Sequence, residues 1–266
     1  KSTSVLFFSA MPFAARLRES LPVATFHLLA SALLAATLAA VIFQVWYRPP
    51  YDALAGGRLL FLLLVGVDVV CGPLLTLLLF TRSKTRKQLL TDAVMILALQ
   101  ATALAYGVST AWNARPVYLV AEVDRFKVIT WEEIHHADFS SLPTDLRPGV
   151  WKSPTVVALR PPASIEEKNK VLFESLQTGR DYAERPEFYI PYNAETAATV
   201  LGRAREATAL LKSYPQHHSW LEAYARAQKR PLSDIRYLPV MAREDWVAIV
   251  TPKGQITQFL KGDGFL

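Results

Sequence analysis

The run of residues 58–81, RLLFLLLVGVDVVCGPLLTLLLFT, constrains the fold of this chain more than any other stretch. Between positions 59 and 80 it holds 22 residues, of which Asp68 is the one ionisable residue. A helix rises about 1.5 Å per residue, so this run can cross the roughly 30 Å hydrocarbon core of a bilayer. The sequence therefore predicts a membrane protein with a carboxyl group near mid-membrane depth.

Asp68 and the Gly72-Pro73 pair that follows it are unusual residues for the middle of a membrane span. A carboxyl group at that depth costs on the order of 3 kcal/mol, so it is expected to lie against a partner. Pro73 has no N–H and is expected to kink the helix near Asp68. One interpretation is an interhelical hydrogen bond that holds a small bundle together. The other is a site that a partner helix or a proton uses.

Two further apolar segments, residues 23–46 and 93–112, predict a first and a third span. Residues 1–22 precede them as a cytoplasmic lead, and residues 1–10 are expected not to be native because Met11 looks like the natural start. A signal peptide is the competing interpretation of the first segment. It is disfavoured because the apolar run is long and ends in the aromatic pair Trp46-Tyr47, which is typical of a membrane interface.

Basic residues are unevenly distributed around the predicted membrane domain, residues 23–112. Of the net charge of +6, residues 1–112 carry +5 and residues 113–266 carry +1. The excess therefore belongs to membrane flanks rather than to a nucleic-acid groove. The flanking basic residues are Arg16 and Arg18 in the lead, Arg48 and Arg58 in the first loop, and Arg82, Lys84, Arg86 and Lys87 in the second. The positive-inside rule then predicts a multi-pass membrane protein with a cytoplasmic N-terminus and a domain on the far side of the membrane, which in a bacterium is the periplasm.

Depth along the bilayer normal limits the hydrogen-bond partners of Asp68. At 1.5 Å per residue, Asp68 and Thr37 lie roughly 14 Å from the outer ends of their spans, and Gln100 roughly 18 Å. Gln100 and Thr37 are therefore the candidate partners. His27 is expected near the cytoplasmic end of the first span, at the depth of Thr76 and too far away to meet Asp68 directly.

Residues 113–266 have the composition of a folded domain, predicted to be α+β with helices on one face of an antiparallel sheet. Two capping boxes, Thr130 with Glu133 and Ser164 with Glu167, predict helix starts. No Gly- or Ser-rich linker separates residue 112 from residue 117, so the two parts are predicted to be held in fixed relation. The predicted strands are residues 117–123, 126–130 and 155–160 and a C-terminal antiparallel hairpin or meander over 234–260; the predicted helices are 165–177, 194–212 and 218–228.

The sequence offers little that indicates catalysis or metal binding. The pairs His135-His136 and His217-His218 lack the spacing of a zinc helix, and Cys71 is the one cysteine, so no disulfide is possible within the chain. Motifs of hydrolases, nucleotide-binding proteins and dinucleotide-binding proteins are missing from the sequence. We therefore predict a chain that is not an enzyme and has no catalytic residue, cofactor or metal.

Two strings resemble the type IV pilin accessory proteins, a family of inner-membrane proteins encoded beside pilin genes. The first is VDVV-x-GPLLTL, which contains Asp68, Gly72 and Pro73; the second is ARPVYLV-x-EVDRF, which contains Arg115, Asp124 and Arg125. The resemblance extends from about residue 26 to about residue 131. These six residues, with Gln100, Thr37 and His27, are the candidates for a structural or partner-contacting role.

The resemblance implies a chaperone or assembly factor that binds its cognate major type IV pilin without catalysis. It also implies that a pilin carries a Glu near the cytoplasmic leaflet, with which His27 could pair; alternatively, His27 lies at the interface or bonds Thr76. Other pilus assembly proteins and membrane lipid are further expected partners, and nucleic acid is not. The alternatives are a periplasmic sensor or structural subunit of an assembly platform, and an intramembrane enzyme of pilin maturation.

Overall fold

The computed structural model of the chain describes residues 13–81 and 84–265. The predictions for residues 1–12 and for Arg82 therefore lie outside the described residues. The described residues form two compact units: a helical unit within residues 1–40 and 59–110, and a sheet unit within residues 41–58 and 111–266.

The helical unit is built from apolar helices. Helix α1, Phe13–Val41, passes into a π-helical turn at Ile42–Trp46, and the short helix α2, Tyr51–Leu54, follows it in the sheet unit. Helices α3, Gly57–Val65, and α4, Gly72–Leu79, come next, and the long helix α5 covers Arg86–Asn113. Most large apolar side chains of α1 and α5 are exposed, as in helices that face lipid.

The prediction of three transmembrane helices was wrong. In the described part of the chain two helices are long and apolar enough to cross a membrane, Leu17–Trp46 and Arg86–Asn113. The predicted second span is broken by a π-helical segment, Gly66–Cys71, which lies between α3 and α4. Pro73 cannot donate a backbone hydrogen bond to the preceding turn, and a wider π turn just before it accommodates that loss.

The sheet unit contains one mixed sheet of eight strands. Seven strands follow the order β4-β3-β1-β2-β6-β7-β8, and β5 pairs with β6. The strands are β1 Pro116–Ala121, β2 Phe126–Thr130, β3 Thr155–Leu159, β4 Tyr189–Pro191, β5 Arg205–Glu206, β6 Arg236–Met241, β7 Asp245–Val250 and β8 Ile256–Lys261. The helices are α6 Trp131–Ile134, α7 Ile165–Thr178, α8 Ala194–Leu201, α9 Ala207–Ser213 and α10 His218–Ala227.

The prediction of an antiparallel sheet with helices on one face was also wrong. Strand β1 runs parallel to β3, and β2 runs parallel to β6. Both faces of the sheet are covered. Alternate residues of a strand point to opposite faces, and each set packs against helices. Leu119 and Leu238 face a core that includes Val200 of α8, whereas Tyr237 packs with residues of α9 and α10. The C-terminal meander β6-β7-β8 is antiparallel, as the turn at residues 251–254 predicted.

The predicted helix starts were more accurate than the predicted helix lengths. Thr130 and Glu133 form the predicted capping box of α6, and Ser164 accepts the backbone N–H of Glu167 at the start of α7. The helix predicted over residues 194–212 is instead two helices, α8 and α9, separated at Gly202 and by β5. Pairing of β5 with the distant strand β6 is a tertiary interaction that outweighs the local helical preference.

Residues 41–58 contribute to the core of the sheet unit. Leu54 is fully buried in the same apolar cluster as Leu119, Phe126 and Leu238. The backbone N–H of Arg243 donates to the Leu54 carbonyl oxygen at 3.2 Å. This segment precedes the first strand by many residues, and its sequence predicted the end of a span and a loop rather than a part of the domain.

Candidate functional site

A polar cluster lies inside the helical unit and joins α1, α4 and α5. His27 Nδ1 is 2.7 Å from Thr76 Oγ1, and His27 Nε2 is 2.8 Å from Gln100 Oε1. The Gln100 amide nitrogen donates to the backbone oxygen of Asp68 at 3.0 Å. One histidine ring thus connects two helices, and Gln100 extends the connection to the π-helical segment that holds Asp68.

The side chain of Asp68 is buried without satisfying all of its hydrogen-bonding capacity. The residue is 8% exposed, and among the described residues its Oδ1 atom has no hydrogen-bond partner. A buried acceptor without a donor costs about 1–3 kcal/mol, so such an atom calls for an explanation. Neither predicted partner bonds it: Gln100 bonds the backbone oxygen instead, and Thr37 donates to Leu33 of its own helix.

A cavity of about 260 Å³ lies beside this cluster and is open on one side. His27, Asp68 and Gln100 contribute its polar lining. The rest of the lining is small or apolar: Ala30, Ser31, Leu34, Ala35, Leu38, Val65, Leu97, Ala101 and Leu104. The cavity can therefore bind an apolar group that also carries one hydrogen-bond donor for the Asp68 Oδ1 atom.

Gly72 and Pro73 shape the wall of the polar cluster. Both are buried together with Thr76 in α4. A Cβ atom added at Gly72 would overlap the side-chain amide of Gln100, whereas one at Gly66 would meet no atom within 4 Å. Gly72 is therefore needed for the close approach of Gln100.

Arg115 lies buried in the sheet unit between two tryptophan rings. Its guanidinium carbon is 3.3 Å from the centre of the Trp112 ring and 4.4 Å from that of Trp131. Its Nη1 also donates to the Trp112 carbonyl oxygen at 2.9 Å. Burial lowers the pKa of Arg115 to about 10, so the group stays charged at neutral pH. Arg115 thus packs against the residues that connect α5 to β1.

Asp124 and Arg125 form the turn between β1 and β2. The Arg125 Nε donates to Asp124 Oδ1 at 2.7 Å, and this hydrogen bond holds the pKa of Asp124 below its ordinary value. The Arg125 guanidinium also lies 4.6 Å from the Phe265 ring centre. Both residues line an open groove, to which Arg160, Arg203 and Arg205 also contribute.

Helix α7 presents its apolar residues outward. Ile165, Leu172, Phe173 and Leu176 are each more than half exposed, and no residue of α7 is buried. Ion pairs hold the helix to its unit: Glu167 with Arg160 at 2.9 Å, and Glu174 with Arg185 at 2.6 Å. The hydrogen bonds from Arg160, with one from the Ala163 N–H, lower the pKa of Glu167 to about 2. The outward apolar face of α7 is therefore left uncovered by its own unit.

The histidine pairs occupy local positions in the sheet unit. His135 Nδ1 lies 2.8 Å from the Glu132 carbonyl oxygen, and His217 Nε2 lies 2.8 Å from that of Lys261. His218 and Glu222 are 3.7 Å apart on α10. Over the described residues, no group of three or more His, Cys, Asp or Glu side chains is placed to hold a metal ion.

Comparison with known proteins identifies the family. A family model described as "Fimbrial assembly protein FimB" matches residues 15–56. The fimbrial assembly protein of serogroups C1 and C2 of Dichelobacter nodosus is 41% identical over 108 residues, which are 41% of this chain and 82% of that protein. The chain belongs to the fimbrial assembly protein family. The resemblance to pilus accessory proteins is thereby confirmed at the level of the family.

Longer alignments cover most of both chains in this family. The serogroup I fimbrial assembly protein of Dichelobacter nodosus is 29% identical over 241 residues, 90% of this chain and 93% of that protein. The serogroup E1 protein is 27% identical over the same shares. No solved structure matches the chain.

The sequence indicated the members of the polar cluster and, as one alternative, the bond between His27 and Thr76, but not the bonds that Gln100 makes. The signal available for the cavity was a helical stripe on α1, His27, Ser31 and Ala35, in which a histidine is followed by small residues four apart. Small residues at such spacing allow close approach of helices in membranes. The contribution of residues 41–58 to the sheet unit had no comparable signal, because their partners are distant in the sequence.

Proposed function

We propose that this protein is a non-catalytic assembly factor that binds a fimbrial subunit, a type IV pilin, in the bacterial inner membrane. The observation that carries the proposal is the unpaired Asp68 carboxyl oxygen beside an open, mostly apolar cavity. The family supports a role in fimbrial assembly, which implies contact with fimbrial components.

The chemistry of the cavity favours a protein helix over lipid as its occupant. A lipid acyl chain can fill the apolar part, but it has no donor for the Asp68 oxygen. An apolar helix that carries one N–H or O–H group, from a small or polar residue, can fill the apolar part and also donate to the Asp68 oxygen. Hydrogen bonds of this kind contribute about 1 kcal/mol between membrane helices, enough to orient a partner that packing already holds.

The sheet unit offers a second surface for the same partner. We assign the exposed apolar face of α7 to the globular part of the subunit, because this helix carries four large apolar residues that its own unit does not cover. Apolar residues rimmed by charged ones are typical of protein-binding surfaces. Glu166, Lys168 and Lys170 supply such charges on α7.

The charges around α5 favour a periplasmic location for the sheet unit. Helix α5 begins beside Lys84, Arg86 and Lys87, and it ends at Asn113, directly before the sheet unit. The positive-inside rule then orients the Arg86 end towards the cytoplasm. A reporter fused after Leu266 that is active only in the periplasm is the expected result; activity only in the cytoplasm would refute this orientation.

Site-specific photo-cross-linking in cells tests the binding proposal. A photoreactive residue at Leu34 or Leu104, which line the cavity, should cross-link to the fimbrial subunit. The same residue at Leu33 or Leu99 is the matched control, because these neighbours are exposed but do not line the cavity. Equal cross-linking from both sets, or cross-links only to other assembly proteins, would contradict subunit binding and favour a platform subunit.

A further inference from the structure

The loop of residues 148–152, here the interface loop, exposes apolar side chains although it belongs to the sheet unit. Trp151 is 74% exposed and Val150 is 49% exposed. Their exposure does not reflect a loose backbone, because the loop is held by several hydrogen bonds. Lys152 Nζ donates to the carbonyl oxygens of Thr144, Asp145 and Arg147 at 3.1, 3.2 and 2.9 Å.

The interface loop is bonded to the end of an apolar helix. The indole N–H of Trp46 donates to the Val150 carbonyl oxygen at 3.0 Å. Trp46 is the last residue of the apolar helix Leu17–Trp46, and Trp112 is the last residue but one of the apolar helix Arg86–Asn113. The Trp46 and Trp112 rings are in contact, with centres 5.1 Å apart. The ends of the two candidate membrane helices therefore meet beside the interface loop.

We propose that Val150 and Trp151 insert into the interfacial region of the bilayer, in the same leaflet as Trp46 and Trp112. Tryptophan favours this region because its ring is apolar while its N–H can donate to headgroups or water. The ammonium group of Lys152 is exposed but is bonded to carbonyl oxygens of the preceding residues, so Val150 and Trp151 are the exposed apolar side chains of the loop. The occupant of this surface is thus lipid, and the interface loop is a lipid contact of the sheet unit itself.

Lipid-borne quenching tests this proposal on the purified full-length protein in nanodiscs. Lipids brominated near the headgroup should quench Trp151, so Trp151→Phe should remove a quenchable part of the tryptophan emission. Trp220→Phe is the matched control, because Trp220 lies on α10 and is stacked on Tyr224. Its removal should leave the quenched emission unchanged.

Three outcomes would overturn the proposal. The first is equal quenched emission from the wild type and Trp151→Phe. The second is quenching of Trp151 by aqueous iodide instead of by brominated lipid. The third is protection of Trp151 only in nanodiscs that hold two copies of the protein, since a second copy would then be the occupant. Circular dichroism identical to that of the wild type verifies that each variant is folded. The result does not depend on the fimbrial subunit, so it can fail or succeed separately from the proposed function.

Discussion

The hydroxyl group of Tyr47 donates a hydrogen bond to the carbonyl oxygen of Ala111 at 3.0 Å. Tyr47 is fully buried, and its ring lies against Gly57, where any Cβ would overlap it. Ala111 belongs to the last turn of α5, whose final carbonyl groups lack helical partners. The Tyr47 side chain thus supplies a hydrogen-bond donor to a carbonyl oxygen at the end of α5, shortly before the first strand.

Tyr47→Phe should lower the free energy of unfolding of the sheet unit by about 1 kcal/mol, because the Ala111 oxygen loses its buried donor. Denaturant unfolding in detergent, followed by near-ultraviolet circular dichroism, measures the change. Tyr106→Phe is the control, since Tyr106 is 75% exposed on α5. An equal effect of the two substitutions would show that the Tyr47 hydrogen bond contributes nothing specific.

Gly72→Ala should destabilise the helical unit by about 1–3 kcal/mol, because the added methyl group overlaps the Gln100 amide and forces it away from His27 and Asp68. Gly66→Ala, at the start of the π-helical segment that precedes α4 and with open space around it, should be neutral or slightly stabilising. Thermal unfolding in detergent compares the two. If both variants behave alike, helix propensity rather than the polar cluster determines stability here.

Asp68→Asn should keep most of the cross-linking from Leu34 to the fimbrial subunit, because an amide oxygen still accepts the donor that we propose. Asp68→Leu should lose that cross-linking while protein abundance stays normal, since no described residue bonds the missing Oδ1. Fimbriation and cross-linking are measured together. Equal loss for both variants would instead indicate that the charge or the proton of the carboxyl group is required.

A flexible Gly/Ser insertion after Asn113 should weaken fimbrial assembly without lowering the abundance of the protein. It separates Trp112 from Arg115, which now stack at 3.3 Å, and a looser connection adds an ordering cost when both units bind one partner. The same insertion between Pro252 and Lys253, in the turn between β7 and β8, is the control. Unchanged fimbriation after the first insertion would argue that a single unit makes the contact.

Glu167→Gln should loosen α7, measured as lower hydrogen-exchange protection of its amides. Arg160 and the Ala163 N–H lower the pKa of Glu167 to about 2, so the ionised form stabilises the fold. Its contribution is complete above the ordinary pKa of 4.5 and is lost as the pH falls towards 2. The difference in protection between wild type and variant should therefore be constant above pH 5 and shrink in acid. A difference independent of pH would rule out the ion pair as its cause.

The sequence predicted local features of the sheet unit well and its pairing poorly. Strand β2 was predicted at its observed bounds, because β-branched and aromatic residues lie between clear turn and cap residues. The two parallel pairings join strands that are distant in the sequence, which no local pattern reveals. The same limit explains β5, a two-residue strand inside a segment of helical composition.

The candidate site was only partly predictable for a geometric reason. Asp68, His27 and Gln100 were recognised because polar residues are rare in apolar segments. The predicted depths of these residues hold only if all three segments begin at one level and run straight. The π-helical segment at Gly66–Cys71 breaks that assumption, and His27 reaches Gln100 at 2.8 Å and lines the same cavity as Asp68.

The burial of Leu54 among strands has a consequence for synthesis. The ribosome makes Leu54 long before Leu238 and Val240, with which it shares one core, so this core cannot close until nearly the whole chain has emerged. Contacts between such distant residues form slowly, because a long loop must be closed first. A recombinant fragment that starts at residue 114 lacks Leu54, so it should expose the apolar core residues that Leu54 covers and aggregate. Supplying residues 41–58, either fused or as a peptide, should restore its solubility.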